Sequence, residues 1–188
     1  MVHGLTGRAP GLATIRTVTI LLISGSLRAG STNAAVLATA HDLDPYTVVY
    51  PGLASLPHFN PDDDRHPLPR PVYELRTAIN VSEAVLFCTP EYAGGLPGSF
   101  KNLLDWTVGG MEINDKPCGW INASHRGAAG AHDALRTVLG YTGADVVAAA
   151  CGHVPVTQAD VDPDGVIRVP AVRDRVARVV RAMRQYLS

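Results

Sequence analysis

Short apolar runs alternate along this chain with longer segments of helical spacing. The first run, residues 18–23, is almost continuously apolar, and the segment at 32–43 repeats its apolar residues every three or four positions. A continuous apolar run is typical of a strand buried on both faces of a parallel sheet, and the amphipathic segments are typical of helices that cover such a sheet. The pattern therefore predicts an α/β fold built from βαβ units.

Five strands and about five helices account for the chain from residue 17 onwards. The predicted strands lie at residues 18–23, 46–50, 84–88, 116–123 and 146–150. The predicted helices lie at 32–43, 71–81, 99–106 and 132–141, and a last helix carries Val172, Val176, Val179, Val180, Met183 and Leu187 on one face. Ser31, Thr32 or Asn33 is available to cap the first helix, and Gly143 is a typical end for the fourth.

Residues 17–188 are expected to form one domain, and residues 1–16 a flexible N-terminal extension. Residues 51–71 contain six prolines and predict a long surface loop. The run Asp62, Asp63 and Asp64 in that loop is interpreted as solvated, because a short carboxylate run without a shaped turn is a poor metal site. No metal ligands are predicted.

Charge and hydropathy limit the partners. With 16 basic and 17 acidic residues the net charge is −1, which does not favour nucleic-acid binding. The apolar stretches are shorter than the about 20 residues that cross a bilayer, and no secretory pattern is present, so we expect a cytoplasmic protein without a membrane partner. Arginines on the last helix are interpreted as a solvated face, with a membrane-surface helix as the alternative.

The three cysteines are expected to be small buried hydrophobes. Cys88, Cys118 and Cys151 are far apart and lie in apolar segments, and their number is odd. These features argue against a disulfide framework and against a zinc site.

The loop after the first strand, SGSLRAGSTN at residues 24–33, is rich in hydrogen-bond donors. It resembles a P-loop, but Ser31 stands where the lysine would be, and no acidic residue ends a neighbouring strand to hold Mg²⁺. The glycine spacing also fits a dinucleotide fingerprint poorly. A monophosphate suits this loop best, and a tight turn with a hydroxyl cap is the simpler alternative.

A second loop runs into the third helix as TPEYAGGLPGSFKNLLDW, residues 89–106. Pro90 stiffens the exit from the strand, Tyr92 offers an aromatic wall, and Gly94 and Gly95 let a flat ligand approach the backbone. Trp106 is expected to pack in the core or against a subunit rather than to contact a ligand.

Together, the two motifs resemble the NADPH-dependent FMN reductases, a family of flavodoxin-like proteins that includes FMN, quinone, chromate and azo reductases. The resemblance covers nearly the whole chain after residue 16. It implies a flavodoxin-like, doubly wound, five-stranded parallel sheet of order 2-1-3-4-5. It also implies FMN and NADPH or NADH as cofactors, and a homodimer or dimer of dimers to which helix 97–107 contributes.

The resemblance also assigns site residues, none of them catalytic. The FMN phosphate would be bound by Ser26, Arg28, Ser31, Thr32 and Asn33, and the ring would lie along Pro90, Glu91, Tyr92, Ala93 and Gly94. Ser124 and Arg126 would lie at the far edge of the ring. The family often has Asn where this chain has Ala93, so contacts at that position would come from the backbone.

The sequence allows two roles for each of three residues in these loops. Arg126 is either a partner of the pyrimidine side of the ring or a solvated arginine at a helix start. His125 is either a proton donor to a quinone or a surface histidine. Glu91 is interpreted as structural, paired with an arginine or a neighbouring subunit, rather than as a base, because the flavin needs none to accept hydride.

The expected activity is that of an oxidoreductase that passes hydride from NAD(P)H through bound FMN to a small acceptor. Flavins, quinones, azo compounds and metal oxyanions are the acceptors that the resemblance implies. The alternative is a flavodoxin-like electron carrier that binds FMN without NAD(P)H turnover of its own.

Overall fold

The structure, a computed structural model, describes residues 19–188, so the predicted extension at 1–16 lies outside the described residues. Five parallel strands form one sheet in the order β2-β1-β3-β4-β5, which confirms the predicted fold class. The strands are β1 Ile20–Ser24, β2 Thr47–Tyr50, β3 Ala84–Cys88, β4 Pro117–Asn122 and β5 Asp145–His153.

Five α-helices connect and cover the strands. They are α1 Thr32–Leu43, α2 Arg70–Val81, α3 Gly98–Asp105, α4 Ala129–Tyr141 and α5 Pro170–Tyr186. The fourth helix ends as predicted: Gly143 has φ of +72°, its N–H donates to Gly140, and the N–H of Ala144 donates to Leu139. Strand β5 is longer than predicted, because its last residue, His153, still pairs with Asn122 of β4. No helix in the described range is long and apolar enough to cross a membrane.

Apolar side chains are buried on both faces of the sheet. On β1, Ile20 and Leu22 pack in a cluster with α1 and α5, whereas Leu21 and Ile23 pack in a second cluster with α2, α3 and α4. All four are at most 2% exposed. This two-sided burial is the physical reason for the continuous apolar run in the sequence.

Trp106 is part of the core, as predicted. Its side chain is fully buried, its Nε1 donates to the carbonyl of Pro57 at 2.8 Å, and the ring of Phe59 meets it edge-on at 5.0 Å between centroids. Asn102 of α3 also donates to the carbonyl of Pro57, at 2.9 Å. The proline-rich segment 51–71 is therefore fastened to α3.

The interpretation of all three loop aspartates as solvated is wrong for Asp64. Its two carboxylate oxygens accept hydrogen bonds from Nη2 of Arg76 at 2.8 and 3.0 Å, and both side chains are about nine-tenths buried. Nε of Arg76 donates to the carbonyl of Trp106 at 2.9 Å. The 3₁₀ turn at Pro61–Asp63 brings Asp64 to α2, while Asp62 and Asp63 remain exposed.

The cysteines are free and lie within the fold. Cys88 and Cys118 are buried and Cys151 is partly buried. Burial raises the pKa of all three thiols above the ordinary range. The prediction of buried, unpaired thiols is thus confirmed for Cys88 and Cys118, whereas Cys151 is only partly buried.

Candidate functional site

The loops after β1, β3 and β4 meet at the carboxyl edge of the sheet. The N–H of Gly25 donates to the carbonyl of Cys88 at 2.8 Å, which joins the first loop to the second. A Cβ at Gly25 would lie 2.3 Å from Oγ1 of Thr89 and 2.9 Å from the ring of Phe100. Glycine is required here because the two loops approach too closely for any side chain.

The first loop is shaped by hydroxyl groups that bind its own backbone. Oγ of Ser24 accepts from the N–H of Ser26 at 3.2 Å, and Oγ of Ser26 accepts from the N–H of Arg28 at 3.3 Å. Ser31 is the residue that caps α1, because its Oγ accepts from the N–H of Asn33 at 3.2 Å. The Arg28 side chain is exposed beside these turns.

The first turn of α1 offers donors to an anion. In the described part of the chain, the N–H groups of Thr32 and Ala34 have no hydrogen-bond partner. Unpaired N–H groups and the positive end of the helix dipole favour a negatively charged group at this place. The Asn33 side chain instead faces the core, where its Oδ1 accepts from the thiol of Cys88 at 3.3 Å.

A cleft of about 290 Å³ opens beside this turn and extends to the other two loops. Its lining comprises Thr32, Asn33, Pro90, Glu91, Ala123, Ser124, His125, Arg126, Ala128 and Val156. Six of the twelve predicted site residues are therefore brought to one cleft. Of the other six, Ser26, Arg28 and Ser31 belong to the first loop, and Tyr92, Ala93 and Gly94 belong to the second, outside this lining.

Three apolar lining residues were not predicted from the sequence. Ala123 follows β4 directly, so its position at the strand end was the available signal. Val156 carries no such signal, because it lies beyond β5. Its N–H donates to the carbonyl of Ala123 at 3.0 Å, and this hydrogen bond holds it beside the cleft. Ala128 is buried at the start of α4.

Residues 92–95 form a tight hairpin turn in the second loop. Tyr92 and Gly95 exchange backbone hydrogen bonds of 3.0 and 3.1 Å, and Ala93 and Gly94 have φ of +50° and +76°. Positive φ at both central positions is typical of a type I′ turn, for which Asn-Gly is the preferred pair. Ala93 thus stands in a conformation that suits asparagine better than alanine.

Glu91 is structural, as interpreted, although its partner is backbone rather than an arginine. Its Oε2 accepts from the N–H of Ala131 at 2.9 Å, in the first turn of α4. The cap residue of that helix, Ala128, supplies no side-chain hydrogen bond, so Glu91 takes this role from a different loop. A Cβ at Gly130 would lie 2.3 Å from the carbonyl oxygen of Gly94, which confirms how closely the second and third loops pack.

Two polar side chains, those of Asn122 and His153, form hydrogen bonds with the backbone of the third loop. Oδ1 of Asn122 accepts from the N–H of Ser124 at 3.0 Å, and its Nδ2 donates to the carbonyl of Gly127. Nε2 of His153 lies 2.7 Å from the carbonyl of Ser124. The side chains of His125 and Arg126 are exposed and line the cleft.

His132 is a buried histidine behind this loop. Its Nδ1 lies 2.8 Å from the carbonyl of Ala128, and its Nε2 is buried without a hydrogen-bond partner among the described residues. Burial lowers the pKa of His132, and the hydrogen bond to Ala128 opposes this in part. Burial therefore favours the neutral ring, and its proton lies on Nδ1, which donates to the carbonyl of Ala128.

The fold and the cleft define a doubly wound α/β protein with a turn rich in hydrogen-bond donors at the carboxyl edge of its sheet. The sequence profile of the NADPH-dependent FMN reductases matches residues 18–158, and the chain belongs to this family.

Two curated relatives and one solved structure are similar to the chain. An NAD(P)H-dependent FMN reductase of Pseudomonas aeruginosa is 35% identical over 111 residues, 57% of this chain and 60% of the relative. A quinone reductase of Escherichia coli is 33% identical over 96 residues, 49% of this chain and 50% of the relative. The matches thus span little more than half of these relatives. The flavoenzyme NAD(P)H:(acceptor) oxidoreductase FerB of Paracoccus denitrificans has a TM-score of 0.72 and 26% identity, covering 89% of this chain and 98% of FerB.

Proposed function

We propose that the protein is an FMN-dependent NAD(P)H oxidoreductase that passes hydride from NAD(P)H to a small acceptor. One observation carries this proposal. A single cleft is lined both by Thr32, at the donor-rich start of α1, and by the two loops that contain Pro90 and Arg126. This arrangement suits a ligand that has a phosphate at one end and a flat, polar-edged ring at the other.

The residues of the first loop fit a phosphate. The N–H groups of Thr32 and Ala34 are unpaired among the described residues, and the Arg28 guanidinium is exposed beside them. Ser26, Ser31 and Thr32 add hydroxyl groups that can donate to phosphate oxygens. Asn33 would act through the packing of this turn, since its side chain bonds with Cys88 and Ser31.

The other two loops fit a flavin ring. Gly94 and Gly95 leave open space where a Cβ would stand, so backbone of the hairpin can lie against a flat ligand. Pro90, Tyr92 and Ala93 belong to the same loop, and Ser124 and Arg126 face it across the cleft. When bound, FMN supplies the hydride acceptor, and the chain binds it, orients it and leaves one face open to substrates.

Arg126 would stabilise negative charge on the pyrimidine side of the ring, and His125 would donate a proton to a bound acceptor. Both side chains are exposed at the cleft, where an acceptor can reach them. The related proteins are named for flavin and quinone acceptors, which are therefore the first candidates here. We include azo compounds and metal oxyanions among the proposed acceptors. We also propose that the protein forms a homodimer to which helix 97–107 contributes, and that it is cytoplasmic.

The binding of FMN can be tested against the binding of riboflavin, which lacks the phosphate. We expect Arg28→Gln and Thr32→Ala to weaken FMN binding by roughly tenfold and to leave riboflavin binding nearly unchanged. Arg65→Gln, an exposed arginine of segment 51–71, is the matched control. Quenching of flavin fluorescence measures both affinities. Equal affinity of the protein for FMN and riboflavin would contradict the proposed phosphate site.

A steady-state assay then separates the enzyme from the electron carrier. Protein saturated with FMN is expected to oxidise NADPH continuously when a quinone is present. An FMN-loaded protein that is reduced only by an external reductant, and not by NADPH or NADH, would be the carrier instead.

A further inference from the structure

A groove of about 310 Å³ lies between the carboxyl half of β5 and the first half of α5, outside the cleft described above. Three side chains in its lining, those of His153, Arg175 and Arg178, can carry positive charge, and no carboxylate lines it. The net charge of the whole chain is −1, so this concentration of positive charge is local.

The two groove arginines differ from other arginines of the same helix. Arg173 pairs with Asp42 at 2.8 Å, and Arg184 pairs with Asp44 at 2.8 Å. Within residues 19–188, neither Arg175 nor Arg178 takes part in an ion pair or a side-chain hydrogen bond.

The nearest acid along α5 does not neutralise this pair. Asp174 lies four residues before Arg178, a spacing at which opposite charges commonly pair on a helix. No ion pair joins them among the described residues. The two guanidinium groups, three residues apart on one side of the helix, therefore remain available to a ligand.

The base of the groove is closed by direct contact between strand and helix. A Cβ at Gly152 would lie 2.4 Å from Cγ2 of Val179, so a side chain at this position would collide with the helix. The groove is thus a fixed concavity between two packed elements, and its cationic side chains come from both of them.

His153 links this groove to the candidate cleft. Its Nε2 lies 2.7 Å from the carbonyl of Ser124, which only accepts hydrogen bonds, so Nε2 is the donor. Ser124 itself lines the cleft. One hydrogen bond therefore separates the groove from the place where the dinucleotide is proposed to react.

We propose that the groove formed by His153, Arg175 and Arg178 binds a phosphate monoester dianion. Guanidinium groups bind such oxygens through paired, charge-assisted hydrogen bonds, and two neighbouring arginines match a charge of about −2. Two sources present this chemistry: the 2′-phosphate of NADPH and free inorganic phosphate. The first of these rests on the proposed function, and would make the groove the determinant of NADPH over NADH.

The binding is tested by calorimetric titration of the FMN-saturated protein with adenosine 2′-monophosphate and with inorganic phosphate. We expect saturable binding that Arg175→Gln or Arg178→Gln weakens by about tenfold or more. Arg181→Gln is the matched control, because it removes the same charge from an exposed position of α5 outside the groove. Absence of binding, or equal weakening by Arg181→Gln, would overturn the proposal.

The two sources give different results. A nucleotide site binds adenosine 2′-monophosphate more tightly than inorganic phosphate, and Arg178→Gln lowers kcat/KM for NADPH while kcat/KM for NADH stays the same. A free-phosphate site binds both probes with similar affinity, and Arg178→Gln then leaves kcat/KM unchanged for NADPH as well as for NADH. If the protein fails to bind FMN, the titration is run on the protein as purified, so failure of the proposed function and failure of the groove are distinguishable.

Discussion

The carboxylate of Glu91, three residues after the end of β3, accepts a hydrogen bond of 2.9 Å from the backbone N–H of Ala131 in the first turn of α4. This bond fastens the second loop to the third across the candidate cleft. A carboxylate at a helix N-terminus also interacts favourably with the helix dipole. One side chain therefore joins the two loops that form opposite walls of the cleft.

Removal of this cap should destabilise the protein and loosen the cleft. We expect Glu91→Ala to lower the free energy of unfolding by about 1–2 kcal/mol, because a backbone donor loses its partner. Glu91→Gln should recover most of this loss, since its amide oxygen can still accept. Urea denaturation measures both, and FMN affinity should fall in the same order. Glu74→Ala, which removes an exposed ion pair on α2, is the control and should cost less than about 0.5 kcal/mol.

The hairpin at Ala93 should be stabilised by the residue that its backbone prefers. Because Ala93 has φ of +50°, Ala93→Asn or Ala93→Gly is expected to raise the free energy of unfolding by about 0.5–1 kcal/mol. Ala54→Asn, at an exposed alanine without positive φ, should bring no gain. Thermal denaturation of the three variants checks this. Equal melting temperatures for Ala93→Asn and Ala54→Asn would show that strain at Ala93 is negligible.

The buried pair of Asp64 and Arg76 should hold the proline-rich segment to α2. Asp64→Ala removes the carboxylate that accepts two hydrogen bonds from the Arg76 guanidinium and leaves only Glu112, at 4.0 Å from Nε, as its charge partner. We expect a loss of about 1.5–3 kcal/mol in the free energy of unfolding. Arg76→Met should also be costly, because it leaves the Asp64 carboxylate unpaired. Arg70→Met on the exposed face of the same helix is the matched control. A loss in Asp64→Ala no larger than in this control would contradict the structural role.

His132 should make the stability depend on pH below neutrality. Burial lowers the pKa of this histidine from its ordinary value of 6.5, so the unfolded chain takes up a proton at a higher pH than the folded protein does. Above about pH 6.5 His132 is neutral in both states and the free energy of unfolding is not reduced. As the pH falls below about 6.5, protonation of His132 in the unfolded chain lowers the free energy of unfolding. His132→Gln should flatten the fall in unfolding free energy between about pH 6.5 and 5, whereas His58→Gln, an exposed histidine, should not. Parallel slopes in both variants would exclude His132 as the source.

The elements that were predicted from the sequence are those fixed by local signals. Helix α1 has the predicted bounds because Ser31 caps it and apolar spacing continues to Leu43, and β3 has the predicted bounds because all its residues are buried. Half of the site residues that were predicted from the family resemblance likewise line one cleft.

The remaining features depend on contacts between distant parts of the chain. The partner of Glu91 lies 40 residues further along, at a backbone N–H that carries no sequence signal. The burial of Asp64 follows from Arg76 and from the carbonyl of Trp106, neither of which a local pattern connects to the aspartate run. Val156 lies at the cleft because β4 and β5 pair, which places the Val156 N–H within hydrogen-bond distance of the carbonyl of Ala123.

The central claim is that the cleft binds FMN and exchanges hydride with NAD(P)H, and the visible absorption spectrum tests it most directly. The protein, as purified or after loading with FMN, should show the flavin band, lose it when NADPH is added without oxygen, and regain it when a quinone follows. A colourless protein that cannot be loaded with FMN, or a loaded protein that NADPH and NADH fail to bleach, would contradict the account.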